Sequence, residues 1–307
     1  MIPVTRTAQV ITVVLLAIFW AINWPLMKIG LTVVEPWTFR ALTVVVGGVG
    51  SLAVAAAYGE SLAVPRANWG PLLWLALLQG VLWNAFSGFG IALVDAGRAA
   101  VLAFTMPVWA TLFAILFLKE AVTRRRLVGL FLGMVALGLL LVPVLDQLST
   151  RLFGASLMIA GAIVWGGATV IVKATNWQMS VLTLSGWQFL LGSLPLIVAA
   201  AVLGSPATLF DLTLGTGLVV AYSALIPMIF CQAVWFTVVR RLPTTLASMG
   251  TLFVPPLGMF SAWVILGESI GVYEVSALIV VILAMILVLP GFNWRASLHQ
   301  PPASHPG

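Results

Sequence analysis

The chain has 307 residues, 62% of them apolar and only 7% charged, a balance that marks an integral membrane protein and leaves almost no room for a soluble domain. With about 20 apolar residues needed per crossing helix, this length accommodates roughly ten spans. The net charge of +6 is scattered over short loops, so it reads as membrane orientation and excludes a nucleic-acid partner, which needs a soluble basic patch.

In chain order, Arg6 precedes an apolar run at 8–26. The run is too long for a signal-peptide core and carries bulky Trp20 and Trp24 where a cleavage site needs small residues, so it is expected to remain as the first span. Apolar runs follow at 36–57, 70–94, 99–118 and 127–145. After the polar interruption from Asp146 to Arg151, five more lie at 154–172, 181–203, 212–239, 244–266 and 271–289. Runs of this length without polar alternation predict helices rather than the roughly 10-residue strands of a membrane barrel. The tail at 293–307, with Pro301, Pro302 and Pro306, is expected to be disordered. Cys231, the single cysteine, has no intrachain partner and reads as a small core residue.

The ten runs divide into two halves, 1–148 and 149–292, because landmarks recur between them. Trp20 and Lys28 are spaced as Trp165 and Lys173 are, and Trp37-Thr-Phe39 is echoed by Trp187-Gln-Phe189. Pro107 recurs as Pro255, and Leu118-Lys-Glu120 as Leu266-Gly-Glu268. The offsets are 145, 150, 148 and 148 residues, in the same order with little drift. Five spans per half is an odd number, so the second half enters the membrane inverted. The loop after the fourth run carries Arg124, Arg125 and Arg126, whereas its counterpart, Gly267 to Glu274, has no basic residue.

These landmarks resemble the EamA-type repeat of the drug/metabolite transporter superfamily, over nearly the whole chain from Ala8 to Leu289. The resemblance implies an all-α fold of ten transmembrane helices, two inverted five-helix repeats around a central cavity. It also implies a bacterial inner-membrane carrier that exports amino acids or related metabolites. Within the superfamily, the tryptophan-rich interior is most similar to bacterial exporters of aromatic amino acids. A multidrug or other metabolite carrier of the same fold is the alternative, and a non-transport membrane receptor is disfavoured because alternating access gives the inverted repeat a use.

The residues themselves support a carrier. Pro107 and Pro255 fall near the middle of corresponding runs, and Pro227 and Pro256 add further breaks. Prolines at matched positions point to a midplane site with hinges on either side. Lys28, Lys173, Glu120 and Glu268, at matching span ends, are candidate gate residues. Gly129-xxx-Gly133 is a close-packing signal. Trp24, Trp37, Trp69, Trp177 and Trp294 lie near span ends and read as an interfacial belt. Trp20, Trp83, Trp109 and Trp165 lie deeper, where each indole N–H needs a partner that lipid cannot supply. The deep polar residues Asn23, Gln79, Asn84, Ser87 and Thr105, with Thr169, Gln188, Tyr222 and Gln232 from the second half, face the same constraint. Together they outline a neutral, aromatic-walled, hydrogen-bonding cavity.

No Asp, Glu, His or Arg is placed near the middle of a run, and His299 and His305 lie in the tail. Facilitated transport or exchange is therefore expected over proton-coupled pumping, and zwitterionic or neutral solutes over phosphates. An intramembrane enzyme is disfavoured. Ala85-Phe-Ser87-Gly88 resembles part of a rhomboid-type serine motif, but no membrane histidine could serve as base. Metal ligands, cofactor motifs and a nucleotide loop are missing as well, so neither a cofactor nor a built-in ATPase is expected.

Ten of the fourteen lysines and arginines lie on the side of the amino terminus, against Lys28, Arg40, Arg98 and Arg151 opposite, which places both termini in the cytoplasm. Single cysteines introduced near Arg125 and Val272 test this. An impermeant reagent added from outside is expected to label Val272→Cys alone, and labelling at the Arg125 position would reverse the orientation.

Overall fold

The computed structural model describes residues 6–145, 150–241 and 244–288. The boundary between the halves at 148/149 and the tail 293–307, with Trp294, Arg295, His299 and His305, lie outside them. Regular structure among the described residues is helical throughout. The first half contains α1 (Arg6–Gly30), α2 (Pro36–Ala57), α3 (Trp69–Leu75), α4 (Trp83–Leu93), α5 (Ala96–Ala103), α6 (Met106–Leu118) and α7 (Arg124–Leu145). The second contains α8 (Thr150–Ala174), α9 (Val181–Leu203), α10 (Leu214–Leu225), α11 (Gln232–Arg241), α12 (Thr244–Leu266) and α13 (Val272–Val288). Wide π turns at Ala76–Leu82 and Ile226–Cys231 join α3 to α4 and α10 to α11. Among the described residues eight helical segments are long and apolar enough to cross a bilayer, and Leu252–Leu266 and Val272–Leu287 form shorter apolar helices. Phe131 and Val202 are 67% and 74% exposed. A water-soluble fold buries such side chains, whereas lipid tails accept them.

Helix starts and stops follow local chemistry. Glu35 caps α2, its carboxylate accepting from the backbone N–H of Trp37 and Thr38 (2.8 and 3.1 Å), ahead of Pro36 in the first turn. Ser180 caps α9 by accepting from the Thr183 N–H, and Thr213 with Thr216 forms a reciprocal capping box on α10. The Leu-x-Glu landmark proves to be a helix stop. Its middle residue is left-handed in both copies, Lys119 at φ 53° and Gly267 at φ 68°. Lysine there carries a backbone cost of about 1–2 kcal/mol that glycine avoids.

Packing pairs the halves. α2 lies on α9, α7 on α13, α1 on α12, and α8 on α4 and α6. Exchanging first-half for second-half elements leaves the first two pairings in place and carries the α1–α12 contact onto α8–α6. The backbones of the first π turn and α9 approach closely, since a side-chain carbon on Gly192 would sit 2.6 Å from the Gly80 Cα. Gly133 serves contact within its own half, against Val108 of α6.

The matched prolines do not act alike. The fourth run is broken at Phe104 and Thr105, just before Pro107, because the Thr105 N–H and hydroxyl both turn back to the Leu102 carbonyl (3.2 and 2.7 Å). α12, by contrast, runs unbroken through Pro255 and Pro256. A proline ring fixes φ near the helical value, so a helix held on its flanks continues with missing donors. The same economy holds at Pro25 inside α1, where the Ala21 carbonyl is taken by the Ser261 hydroxyl of α12 (3.1 Å).

Gly192→Ala forces the first π turn and α9 apart. It is expected to cost about 1–3 kcal/mol, read as a lowered thermal midpoint of the detergent-solubilised protein. Gly217→Ala, at a helical position with no neighbouring atom within 4 Å, is expected to leave the midpoint unchanged or raise it, since alanine is the better helix former.

Candidate functional site

Both halves contribute to one cavity at the centre of the fold. Its walls are Trp20, Asn23, Trp24 and Met27 of α1, Arg40 of α2, and Trp83 and Asn84 of α4. The broken helix adds Ala103, Phe104 and Met106, and the second half adds Trp165, Phe189, Pro227, Met228 and Gln232. The space is about 60 Å³, room for about four waters, so a solute larger than that requires the walls to part.

Tryptophans form its apolar wall. Trp165 meets Trp20 edge to face at 6.0 Å and Trp83 at 4.7 Å, and Trp83 meets Trp24 at 6.5 Å. Such contacts favour rigid rings over ones free to rotate. Trp20 and Trp165 are the repeat-related pair, so the two halves touch through equivalent residues. Trp24, expected in the interfacial belt, is buried and part of this wall. Trp177 is likewise buried, its indole N–H donating to the Val172 carbonyl (3.1 Å). Distance from a span end does not fix which way a helix face turns.

Arg40 overturns the expectation of a neutral cavity. It lies one turn into α2 and was assigned to the membrane face, yet it is only 3% exposed and lines the cavity. Its guanidinium donates to the Ser87 hydroxyl (2.7 Å) and the Asn84 side-chain carbonyl (3.4 Å). The Ser87 hydroxyl in turn donates to the Trp83 carbonyl (2.6 Å). The Asn84 amide donates to the carbonyls of Gln79 and Gly80 in the π turn (2.9 and 3.0 Å), which turns its oxygen toward Arg40. Gly88 leaves space for the arginine stem, since a side-chain carbon there would come within 3.0 Å of Cγ and Nε. Among the described residues no carboxylate pairs with Arg40.

The other expected cavity residues divide. Gln79 stands behind the wall, its side-chain oxygen accepting from the Gln232 amide (3.1 Å). Thr105, Thr169 and Tyr222 do not line the cavity. The two threonine hydroxyls bond back to the carbonyls of Leu102 and Trp165 in their own chain segment, and the Tyr222 hydroxyl donates across to the Phe19 carbonyl of α1. Trp109 packs beside the cavity, and Gln188 is fully buried elsewhere with neither amide atom bonded. Three wall residues carry buried polar atoms without a partner: Asn23 Oδ1, Trp165 Nε1 and Arg40 Nε. Pro227, expected as a hinge, also lines the wall.

The span-end charges form two clusters, one on each face. On the face bearing Lys28, the Glu268 carboxylate accepts from the backbone N–H groups of Ala96 and Gly97 at the start of α5 (2.7 and 2.9 Å). Arg98 pairs with Glu274 on the same face, and Lys28 donates to the Val94 carbonyl. On the opposite face Lys173 and Arg126 both hold Glu120, each at 2.6 Å. The hydrogen bond from Lys173 holds the Glu120 carboxyl below the usual carboxylate range.

A sequence model of the EamA-like transporter family matches this chain twice, over residues 7–142 and 152–289. An uncharacterized transporter of Bacillus subtilis (strain 168), YoaV, is 25% identical over 84% of this chain and 88% of its own length. A probable amino-acid metabolite efflux pump of Escherichia coli (strain K12) is 22% identical over 92% of this chain and 95% of its own. One solved crystal structure shares the fold with a TM-score of 0.68 at 16% identity, spanning 97% of this chain and 100% of that one.

A carboxyl depressed in the folded state adds stability above the unfolded-state value, about 4.3 for glutamate, and loses it as the pH falls through the folded-state value. Between pH 6 and pH 3 the thermal midpoint is therefore expected to fall further for the wild type than for Glu120→Gln. Parallel curves for the two proteins would show that Glu120 does not hold this face.

Proposed function

The chain belongs to the EamA-like transporter family and is a multi-pass membrane transporter, and from that premise we propose that it is a ten-helix carrier built from two inverted five-helix repeats. In this reading it exports small metabolites, amino acids with aromatic or other hydrophobic side chains foremost, across the bacterial inner membrane by alternating access. Both termini face the cytoplasm.

The observation that carries this reading is the shared cavity, because its walls come from both halves and repeat-related Trp20 and Trp165 meet across it. A residue can touch its own repeat mate only near an axis relating the two copies. The self-paired α2–α9 and α7–α13 packings support the same axis. Inversion gives this arrangement a use, since tilting one half against the other exposes the cavity to opposite sides in turn. The relatives named as amino-acid metabolite efflux pumps support amino acids as the class, and the tryptophan wall supports hydrophobic side chains.

The energetics proposed are facilitated flux or exchange. Among the described residues the cavity wall contains neither carboxylate nor histidine, the groups on which a proton relay ordinarily runs. Lys28, Lys173, Glu120 and Glu268 act in this reading as latches, and the break before Pro107 serves as the hinge that admits substrate.

Counterflow of labelled amino acids in proteoliposomes tests the proposal. Hydrophobic amino acids are expected to exchange without an imposed pH gradient. Trp165→Ala and Trp83→Ala are expected to reduce the rate about tenfold or more, while Trp69→Ala, at an exposed ring, leaves it near wild type. No exchange of any amino acid, or equal loss in all three variants, would refute it.

A further inference from the structure

We propose that Arg40 anchors a substrate carboxylate, a role that rests on the transport reading above and names the chemistry its site selects. A guanidinium has five N–H donors. Two of Arg40's are used, and both go to neutral groups, Ser87 and Asn84. Three acids at helix ends are committed elsewhere. Glu35 caps the start of α2, while Glu268 and Glu274 close the latch on the Lys28 face. Among the described residues the cation is therefore buried against a cavity with neutral partners and no paired acid, an arrangement that a bound anion relieves.

The geometry also selects the kind of anion. Arg40 is the sole basic side chain in the wall among the described residues, so the site balances one negative charge and suits a carboxylate over a doubly charged phosphate. The guanidinium is fixed before substrate arrives. Ser87 and Asn84 are each held by backbone carbonyls of the same helical segment, and Gly88 leaves the stem its path. Asn23 Oδ1, an acceptor without a partner in the same wall, suits the ammonium of an α-amino acid. The tryptophans take the apolar side chain. A zwitterion thus finds a complement for each of its parts, and the corresponding amide loses the strongest of them.

The experiment compares acids with their amides on the purified full-length protein in detergent, read as ligand-induced shifts in thermal midpoint. The probes are phenylalanine, leucine and alanine, phenylalaninamide, leucinamide and alaninamide, and inorganic phosphate. At least one acid is expected to bind about tenfold or more tightly than its amide, as a site built for one polar group rejects the analogue without it. Arg40→Gln is expected to erase that preference by weakening acid binding far more than amide binding, and Arg40→Lys to restore part of it. If Arg40→Gln does not fold, Ser87→Ala, which removes the 2.7 Å acceptor, is expected to narrow the preference. Equal binding of acid and amide, no binding by any acid, a preference that survives Arg40→Gln, or phosphate binding tighter than every acid overturns the anchor. The two readings fail separately. Flux in liposomes that does not distinguish acid from amide removes the anchor and leaves transport. Discrimination in detergent with no flux removes transport and leaves Arg40 as a carboxylate site.

Discussion

A charged side chain taken out of water inside a bilayer must be met by polar groups of the chain itself, and the centre of this fold is arranged around that requirement at Arg40. Ser87 and Asn84 meet it from α4, one turn apart on the same face. Asn84 presents its oxygen because its amide is held by the carbonyls of Gln79 and Gly80. Those carbonyls belong to a π turn, whose wider spacing releases backbone groups that a regular helix would consume. The turn is in turn pressed against α9, where only glycines at 80 and 192 permit the approach. A contact between the halves thereby sets the position of a cavity donor, and packing and site chemistry are one arrangement.

The two halves share an architecture but not a chemistry. Arg40 follows Trp37-Thr-Phe39, whereas the echoing Trp187-Gln-Phe189 is followed by Leu190. Asn23 and Trp24 line the cavity, while their repeat mates, Ala168 and Thr169, do not. Apart from Gln232, the second half contributes apolar groups, namely Trp165, Phe189, Pro227 and Met228. The interruption of the fourth span has no counterpart in α12. Duplication explains where the walls stand, and later divergence explains why the polar end of the cavity belongs to one copy. Under the carboxylate-anchor proposal this polarity orients the substrate, head group toward α2 and α4 and side chain toward α8.

The sequence made the membrane class, the tandem repeat and, among the described residues, eight of the ten expected spans legible, since each rests on long-range composition or on spacing. Residues whose side chains had to be buried for want of a partner in lipid were legible too, and Trp20, Trp83, Trp165, Asn23, Asn84 and Gln232 all reach the cavity. Arg40 was not. Its depth along the helix, one turn from the end, is what a snorkelling residue would show, and only the rotation of α2 against α4 turns it inward. Trp24 was misplaced for the same reason. The π turns left no trace in composition, and Thr105 gave no sign that its hydroxyl would bond back to Leu102 and help break a helix at a site where Pro107 alone does not explain the break.

Placing Arg40 and Arg98 inside the fold also changes the charge balance between the faces. Both were counted on the Lys28 face, yet one is buried in the cavity and the other is paired with Glu274 at 9% side-chain exposure. Pairing does not alter the count, since Lys173 and Arg126 opposite are paired as well, but taking Arg40 off the Lys28 face leaves three basic residues there against ten, which supports cytoplasmic termini in the proposed orientation. The latches differ in the same sense. Glu268 is held by backbone N–H groups beside a largely buried ion pair, whereas Lys173, which holds Glu120, is 52% exposed. Exposed pairs contribute about 0–1 kcal/mol because water competes for both partners, while breaking a buried one leaves an unmatched charge. Under the alternating-access proposal the face bearing Lys173 opens at lower cost. Under the same proposal, opening the other face needs a compensating interaction, which substrate held by Arg40 would supply.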